Sequence, residues 1–180
     1  MLKKYLQKIK NSNDGFTLSE ILIYVAIFML MAGALISFVL TIVDIHTKSY
    51  VIQEVDANAR MVMEVLSDRI RSSSGVTEDS SVFDSDPGVL VLTMDDPAKD
   101  PTVFELNADD GTLQITEGTG SAVNLTGSKV RVANLVFKNL SLPDLRNNIG
   151  IEITLEYNDT AGNRDYIYSN TLQTSVTLRK

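Results

Sequence analysis

The sequence contains no cysteine, so disulfide bonds and thiolate metal sites are excluded. It contains one histidine, so a Ser/His/Asp catalytic arrangement would have to use His46. It also has no glycine-rich loop of the kind that binds phosphate. No ligand-spaced residues accompany His46, so we expect a surface residue there. The sequence therefore predicts neither an enzyme nor a cofactor-binding protein.

Positive charge is scarce beyond the first 15 residues. That segment holds Lys3, Lys4, Lys8 and Lys10 against Asp14, which leaves 12 Lys+Arg (16 − 4) against 22 Asp+Glu (23 − 1) for the rest of the chain, a net charge of −10. An acidic surface repels nucleic-acid phosphate, so we expect no DNA or RNA binding by the folded part.

The length of 180 residues suits one globular domain with an appendage.

Residues 21–43 form a long apolar run, ILIYVAIFMLMAGALISFVLTIV, with no charge and no proline. About 20 apolar residues in a helix cross the hydrocarbon core of a membrane. A buried core helix is the alternative, but a core helix rarely stays apolar on every face for this length. Because basic residues precede the run, we expect the N-terminus in the cytoplasm and the remainder outside.

Helical periodicity continues beyond the run. Apolar residues recur mostly at three- and four-residue steps, with charged residues between them, which predicts an amphipathic second half of the same helix. We expect one helix over residues 16–71, ended by Ser73, Ser74 and Gly75. The residues of the predicted buried stripe are Ile45, Ile52, Val55, Ala59, Val62, Leu66 and Ile70.

After Gly75 the apolar period changes to two, which predicts strands. Residues 107–111 and 158–163 have the composition of hairpin loops, so we expect an antiparallel sheet, covered by the amphipathic half of the helix. Residues 76–101 read as an irregular link. The fold class is therefore α+β. The predicted strands are 89–94, 102–107, 113–117, 122–126, 129–139, 149–157 and 165–178.

The junction before the apolar run carries the most specific motif. A short basic leader is followed by Gly15, Phe16 and, four residues after Phe16, by Glu20, and the apolar residues begin at once. This combination resembles the type IV pilin and type II secretion pseudopilin family. Ser19 replaces the apolar residue more usual before the glutamate, and the proline found within the run of many members is missing.

The resemblance implies a pilin-like fold and a structural role. A membrane-bound prepilin peptidase would cut between Gly15 and Phe16 and methylate the new amine of Phe16. The implied partners are other pilin-like subunits, the peptidase and the inner-membrane assembly platform. The expected organisation is a cleaved leader at 1–15, a transmembrane half-helix at 16–43, an amphipathic half-helix at 44–75 and an extracytoplasmic β-rich domain at 76–180.

Glu20 needs a compensating partner in an apolar environment. A carboxylate at the centre of a membrane helix costs about 2.5–3.5 kcal/mol on insertion scales, and less near a helix end. A free amine on Phe16, with a reference pKa near 8, is largely cationic at neutral pH. We expect the Phe16 amine of one subunit to pair with Glu20 of its neighbour and to set the register between helices.

Two simpler interpretations compete for these residues. Thr17 and Glu20 fit the capping box S/T-x-x-E, in which the glutamate closes a helix start. Residues 32–34, Ala-Gly-Ala, resemble a secretory signal cleavage site, which would give a soluble protein starting at Leu35. The apolar run, however, continues for nine residues past Ala34, far beyond an ordinary signal core.

The rest of the chain gives weaker signals. Residues 131–137 and 171–179 look like parts of the minor subunits that prime or cap a fibre. A membrane-anchored, adhesin-like binding domain that does not polymerise is the alternative function.

An acidic stretch has the oxygen ligands that calcium prefers, without the ligand spacing of an EF-hand; its members are Asp84, Asp86, Asp95, Asp96 and Asp100.

Overall fold

A computed structural model describes residues 15–142, 147–159 and 167–179 of the chain. The predicted leader lies outside the described residues except for Gly15, and so does most of the predicted loop at 158–163. The chain divides into two units, Met1–Ile45 and His46–Lys180.

One helix, α1 (Leu18–Ser72), occupies 55 residues and confirms the helix predicted at 16–71. At its C-terminal end, serine hydroxyls donate hydrogen bonds to backbone carbonyl groups of the last turn. Ser73 Oγ donates to the Ile70 carbonyl at 2.7 Å, and Ser72 Oγ donates to the Arg69 carbonyl at 3.1 Å. The positive charges of Arg69 and Arg71 in the last turn interact favourably with the negative end of the helix dipole and stabilise the helix. The helix therefore stops at the predicted serines.

The described residues after α1 form eight strands, and all the pairings between these strands are antiparallel. β1–β5 form one sheet in sequential order, and β6–β8 form a second. The strands are β1 (Gly75–Val76), β2 (Leu90–Thr93), β3 (Thr102–Leu106), β4 (Leu113–Glu117), β5 (Val123–Asn124), β6 (Val130–Asn139), β7 (Asn148–Tyr157) and β8 (Ser169–Thr177).

The α+β class with antiparallel pairing is confirmed, and two details differ from the prediction. The strands divide into two sheets, whereas we expected one. Residues 76–101 are not simply an irregular link: besides β2, which the predicted strand at 89–94 anticipates, they contribute the end of β1 and a 3-10 turn, Glu78–Ser80. β1 was missed since two residues show no periodicity, and it forms because Gly75 and Val76 pair with Thr93 and Leu92.

The core of the second unit combines one stripe of α1 with the apolar faces of both sheets. The predicted stripe is right from Val55 to Ile70 but wrong at its start. Ile45 and Ile52 are 59% and 40% exposed, whereas Val51 is buried. The helix turns about 100° per residue, so Val51, four residues before Val55, faces the core and Ile52 does not.

Polar contacts tie the helix to distant strands and loops within this unit. Arg69 Nε lies 2.7 Å from Glu117 Oε1 at the end of β4. Asp56 Oδ1 accepts hydrogen bonds from Asn170 Nδ2 at 2.7 Å and from the Tyr168 hydroxyl at 3.1 Å. Burial and then the Asp56 carboxylate raise the pKa of Tyr168 above its ordinary value, so the hydroxyl stays a donor at neutral pH.

The outer edge of β6 is closed by the loop before β2. The backbone N–H groups of Asp84 and Gly88 donate to the carbonyls of Phe137 and Leu135, each at 2.8 Å. Asp86 Oδ1 accepts the Leu135 N–H at 2.8 Å. A Cβ at Gly88 would lie 3.0 Å from Phe137 Cδ2 and 3.1 Å from the Leu135 carbonyl oxygen, so glycine permits this close approach.

Candidate processing and assembly segment

Gly15 and Phe16 lie just before α1 and are exposed. No described atom lies within 4 Å of the position that a Cβ on Gly15 would take, so packing among the described residues gives no reason for glycine there. Phe16 is 70% exposed and stands at the start of a long series of exposed apolar residues, and a contiguous apolar surface of this kind marks an interface or a membrane segment. Among the described residues, nothing covers Gly15 and Phe16 is exposed, which suits a peptide bond that another protein must reach.

Thr17 caps α1. Its backbone carbonyl accepts the N–H groups of Glu20 at 3.1 Å and Ile21 at 3.2 Å, and its hydroxyl lies 3.3 Å from the Glu20 nitrogen. This is the threonine half of the predicted capping box. The glutamate half is not formed in the described residues, where the Glu20 carboxylate contacts a different residue instead. The simple capping interpretation therefore accounts for Thr17 and leaves Glu20 unexplained.

Glu20 is half-buried, and its Oε1 accepts a hydrogen bond from the Tyr24 hydroxyl at 2.8 Å. The Tyr24 ring also meets Phe16 edge-to-face, with ring centroids 6.2 Å apart and planes at 79°. These three side chains thus form one cluster at the start of the apolar run. Sequence reasoning missed Tyr24. The available signal was the four-residue spacing from Glu20, which places two side chains on the same helix face.

The apolar part of α1 is uncovered within the described structure. The most apolar 18-residue window of the helix has no buried residue, and by length and composition this helix is long and apolar enough to cross a membrane. A polar group inside the run is bonded within the helix, since the Thr41 hydroxyl donates to the Ser37 carbonyl at 2.9 Å. Such a surface requires an apolar environment.

Other candidate sites behave as ordinary surface and turn residues. His46 is exposed. Asp96 and Asp100 of the acidic stretch cap backbone N–H groups, those of Ala98 and Met94, at 3.0 and 2.9 Å. Over residues 15–142, 147–159 and 167–179, no three His, Cys, Asp or Glu side chains come together in a way that could hold a metal ion. The described residues therefore offer no geometry that supports the calcium hypothesis.

Comparison with known proteins places one match on this segment. Residues 10–36 match the family described as the prokaryotic N-terminal methylation motif. No curated protein and no solved structure matches the chain. The match covers the end of the leader, Gly15, Phe16, Glu20 and residues 21–36 of the apolar run.

The motif indicates a structural subunit, and it implies association with other pilin subunits and with prepilin peptidase. Together with the exposed apolar helix it fits a protein anchored in the inner membrane. Residues 10–36 thus carry the signature of type IV pilins and pseudopilins, which supports a pilin-like precursor processed by prepilin peptidase.

Proposed function

We propose that this protein is a subunit of a type IV pilus or of a type II secretion-like pseudopilus, assembled through α1. The observation that carries the proposal is the methylation motif at residues 10–36 placed directly on an uncovered apolar helix. Prepilin peptidase cleaves between Gly15 and Phe16 and methylates the Phe16 amine. The apolar half of the helix first resides in the membrane and then packs against the same segment of other subunits.

The proposed organisation follows from the two environments that the chain must occupy. Residues 1–15 are the leader, residues 16–43 cross the membrane, residues 44–75 continue the helix and residues 76–180 form the extracytoplasmic domain. The basic leader remains in the cytoplasm and the acidic domain lies outside, in agreement with the positive-inside rule. The inner-membrane assembly platform extracts the subunit, and the strand segments at 131–137 and 171–179 support a minor, priming or capping role.

Glu20 sets the register between neighbouring subunits in this proposal. Its Oε2 has no partner among residues 15–142, 147–159 and 167–179, while Oε1 is bonded to Tyr24. A neutral donor leaves the carboxylate charge in place, so a cation is still needed in an apolar environment. The methylated amine of Phe16 on the adjacent subunit supplies that cation and is released by the processing step itself.

The Glu20→Val variant tests this function. We expect a mature N-terminus at methylated Phe16 in both wild type and variant, as determined by mass spectrometry, because the cleaved bond is unchanged. In sheared surface fibres we expect wild-type protein at low stoichiometry and no detectable variant, because the helices lose their electrostatic register. Glu64→Val is the matched control: Glu64 is an exposed acid on the same helix, beyond the apolar run.

Each alternative gives a different result in the same experiment. Normal incorporation of Glu20→Val would contradict the pairing of Glu20 with the amine. A mature chain that begins at Leu35 would show secretory cleavage, and an intact leader would contradict processing altogether. A processed wild-type protein that stays monomeric in the membrane would favour the adhesin-like binding domain. High stoichiometry in fibres would replace the minor role by a major one.

A further inference from the structure

Tyr24 stands out among the residues of the apolar run because it has a polar group directed at the assembly glutamate. Its hydroxyl donates to Glu20 Oε1 at 2.8 Å, and its ring is held edge-to-face against Phe16. Tyr24 is 53% exposed and Phe16 is 70% exposed, so the contact is made at the surface of its own segment. The contact links both residues of the proposed intersubunit pair.

The hydroxyl engages only one of the two carboxylate oxygens. A carboxylate can accept hydrogen bonds at both oxygens at once, so the bond to Tyr24 does not block a cation at Oε2. It does restrict the rotation of the Glu20 side chain, whose flexible bonds otherwise give it many conformations. A carboxylate held in one conformation loses less freedom when a partner binds, and this favours binding.

The same bond serves both groups before assembly. In a bilayer, a tyrosine hydroxyl and a glutamate carboxylate each lack water as a partner, and each satisfies the other at four-residue spacing on one helix face. The ring contact with Phe16 fixes the direction of the hydroxyl, because an edge-to-face pair has a preferred geometry. The Phe16–Glu20–Tyr24 cluster is thus ordered within one subunit.

We propose that Tyr24 is a positioning residue for fibre assembly: its hydroxyl holds Glu20 so that Oε2 is presented to the amine of a neighbouring subunit. This inference rests on the proposed function and adds to it a residue outside the glutamate–amine pair itself. Tyr24 contacts the assembly glutamate and acts only through it.

The Tyr24→Phe variant of the full chain is the test, since it keeps the ring and removes only the hydroxyl. We expect cleavage at Gly15, methylation and the amount of subunit in the membrane to be unchanged. Incorporation into sheared fibres should fall roughly two- to tenfold, the value of one hydrogen bond. Tyr50→Phe is the matched control, because it removes the hydroxyl of another exposed tyrosine on α1, bonded to Lys129 at 2.6 Å and far from Glu20 in sequence.

A spectroscopic readout separates positioning from a general effect on packing. The purified, processed full chain is labelled with ¹³C at glutamate side-chain carboxyls and placed in lipid bicelles. The infrared band of Glu20 is then isolated by subtracting the spectrum of Glu20→Gln. Tyr24→Phe should shift this band, because the carboxylate loses a donor, and Tyr50→Phe should leave it in place.

The outcomes distinguish this inference from the function on which it rests. Unchanged incorporation of Tyr24→Phe, an unshifted Glu20 band, or an equal loss of incorporation in Tyr50→Phe would each overturn the role of Tyr24. If Tyr24→Phe fails in this way while Glu20→Val still abolishes incorporation, the glutamate–amine pairing stands alone. If wild-type protein is absent from surface fibres and from periplasmic pseudopili alike, the proposed function fails whatever the infrared band shows.

Discussion

Asn58 is a polar residue in the buried stripe of α1, and it is only 9% exposed. Its Nδ2 donates to the Glu54 carbonyl at 2.8 Å, and its Oδ1 accepts the Gly127 N–H at 2.9 Å. The second bond ties the helix to the loop between β5 and β6, 69 positions along the chain. Most buried polar groups in proteins are hydrogen-bonded, and both polar atoms of the Asn58 amide are.

We expect Asn58→Ala to lower the free energy of unfolding by about 1 kcal/mol, because the Gly127 N–H loses its acceptor. The measurement is denaturant unfolding of the full chain in detergent, followed by near-ultraviolet circular dichroism. Gln53→Ala is the control, since Gln53 is exposed on the same helix and should change stability by less than about 0.5 kcal/mol. Equal stability of both variants would contradict a stabilising role for the amide.

At the scale of secondary-structure elements, the sequence predicts best where a period repeats many times. The apolar run and the stripe beyond it determine α1 to within two residues of each end, and β4, Leu113–Glu117, matches its predicted range. β1 and the division into two sheets depend on pairing between distant residues, which periodicity does not encode. The loop that closes β6 was missed for the same reason.

The candidate site shows the same contrast. Gly15, Phe16 and Glu20 are found from the sequence because their order and their place before the apolar run are specific, and their roles stay predictions. Tyr24 is not found, because a tyrosine four residues after a glutamate is common in helices and gains meaning only from the 2.8 Å contact. The Thr17 cap is present as predicted, whereas the reciprocal bond from Glu20 is absent among the described residues, where the Glu20 carboxylate accepts the Tyr24 hydroxyl instead.

The loop that closes β6 allows a test of how the sheet edge is protected. An unpaired edge strand exposes N–H groups that bind other chains, and covering the edge prevents this. Asp86→Ala removes the acceptor of the Leu135 N–H, and Leu135 is fully buried. We expect the free energy of unfolding to fall by about 1–3 kcal/mol. Hydrogen exchange at the Leu135 amide should also become faster.

Asp79→Ala provides the comparison for that experiment. Asp79 is an exposed acid in the Glu78–Ser80 turn that precedes the loop, so its loss changes the charge equally without touching β6. Stability within about 0.5 kcal/mol of wild type and unchanged exchange are expected for this variant. If Asp86→Ala behaved in the same way, the loop would not protect the edge through the Asp86 carboxylate.

At the scale of the whole molecule, the core belongs to one unit only. Every buried apolar side chain of the described residues lies between Val51 and Leu178, within the unit His46–Lys180. We therefore expect a fragment of residues 46–180 to be soluble and monomeric by light scattering. Its melting temperature should lie within about 4 °C of the value for the full chain in detergent, because none of the removed residues that the structure describes is a buried apolar residue.

Leu66→Ala shows whether the fragment melts as a packed domain. Leu66 is fully buried in the stripe of α1, and its truncation should lower the free energy of unfolding by about 2–5 kcal/mol in the fragment and in the full chain alike. An unfolded or aggregated fragment would mean that residues before His46 stabilise the core. Equal losses of unfolding free energy in the fragment and in the full chain would mean that the hydrophobic effect stabilises the domain. The apolar run would then respond instead to lipid or to other subunits.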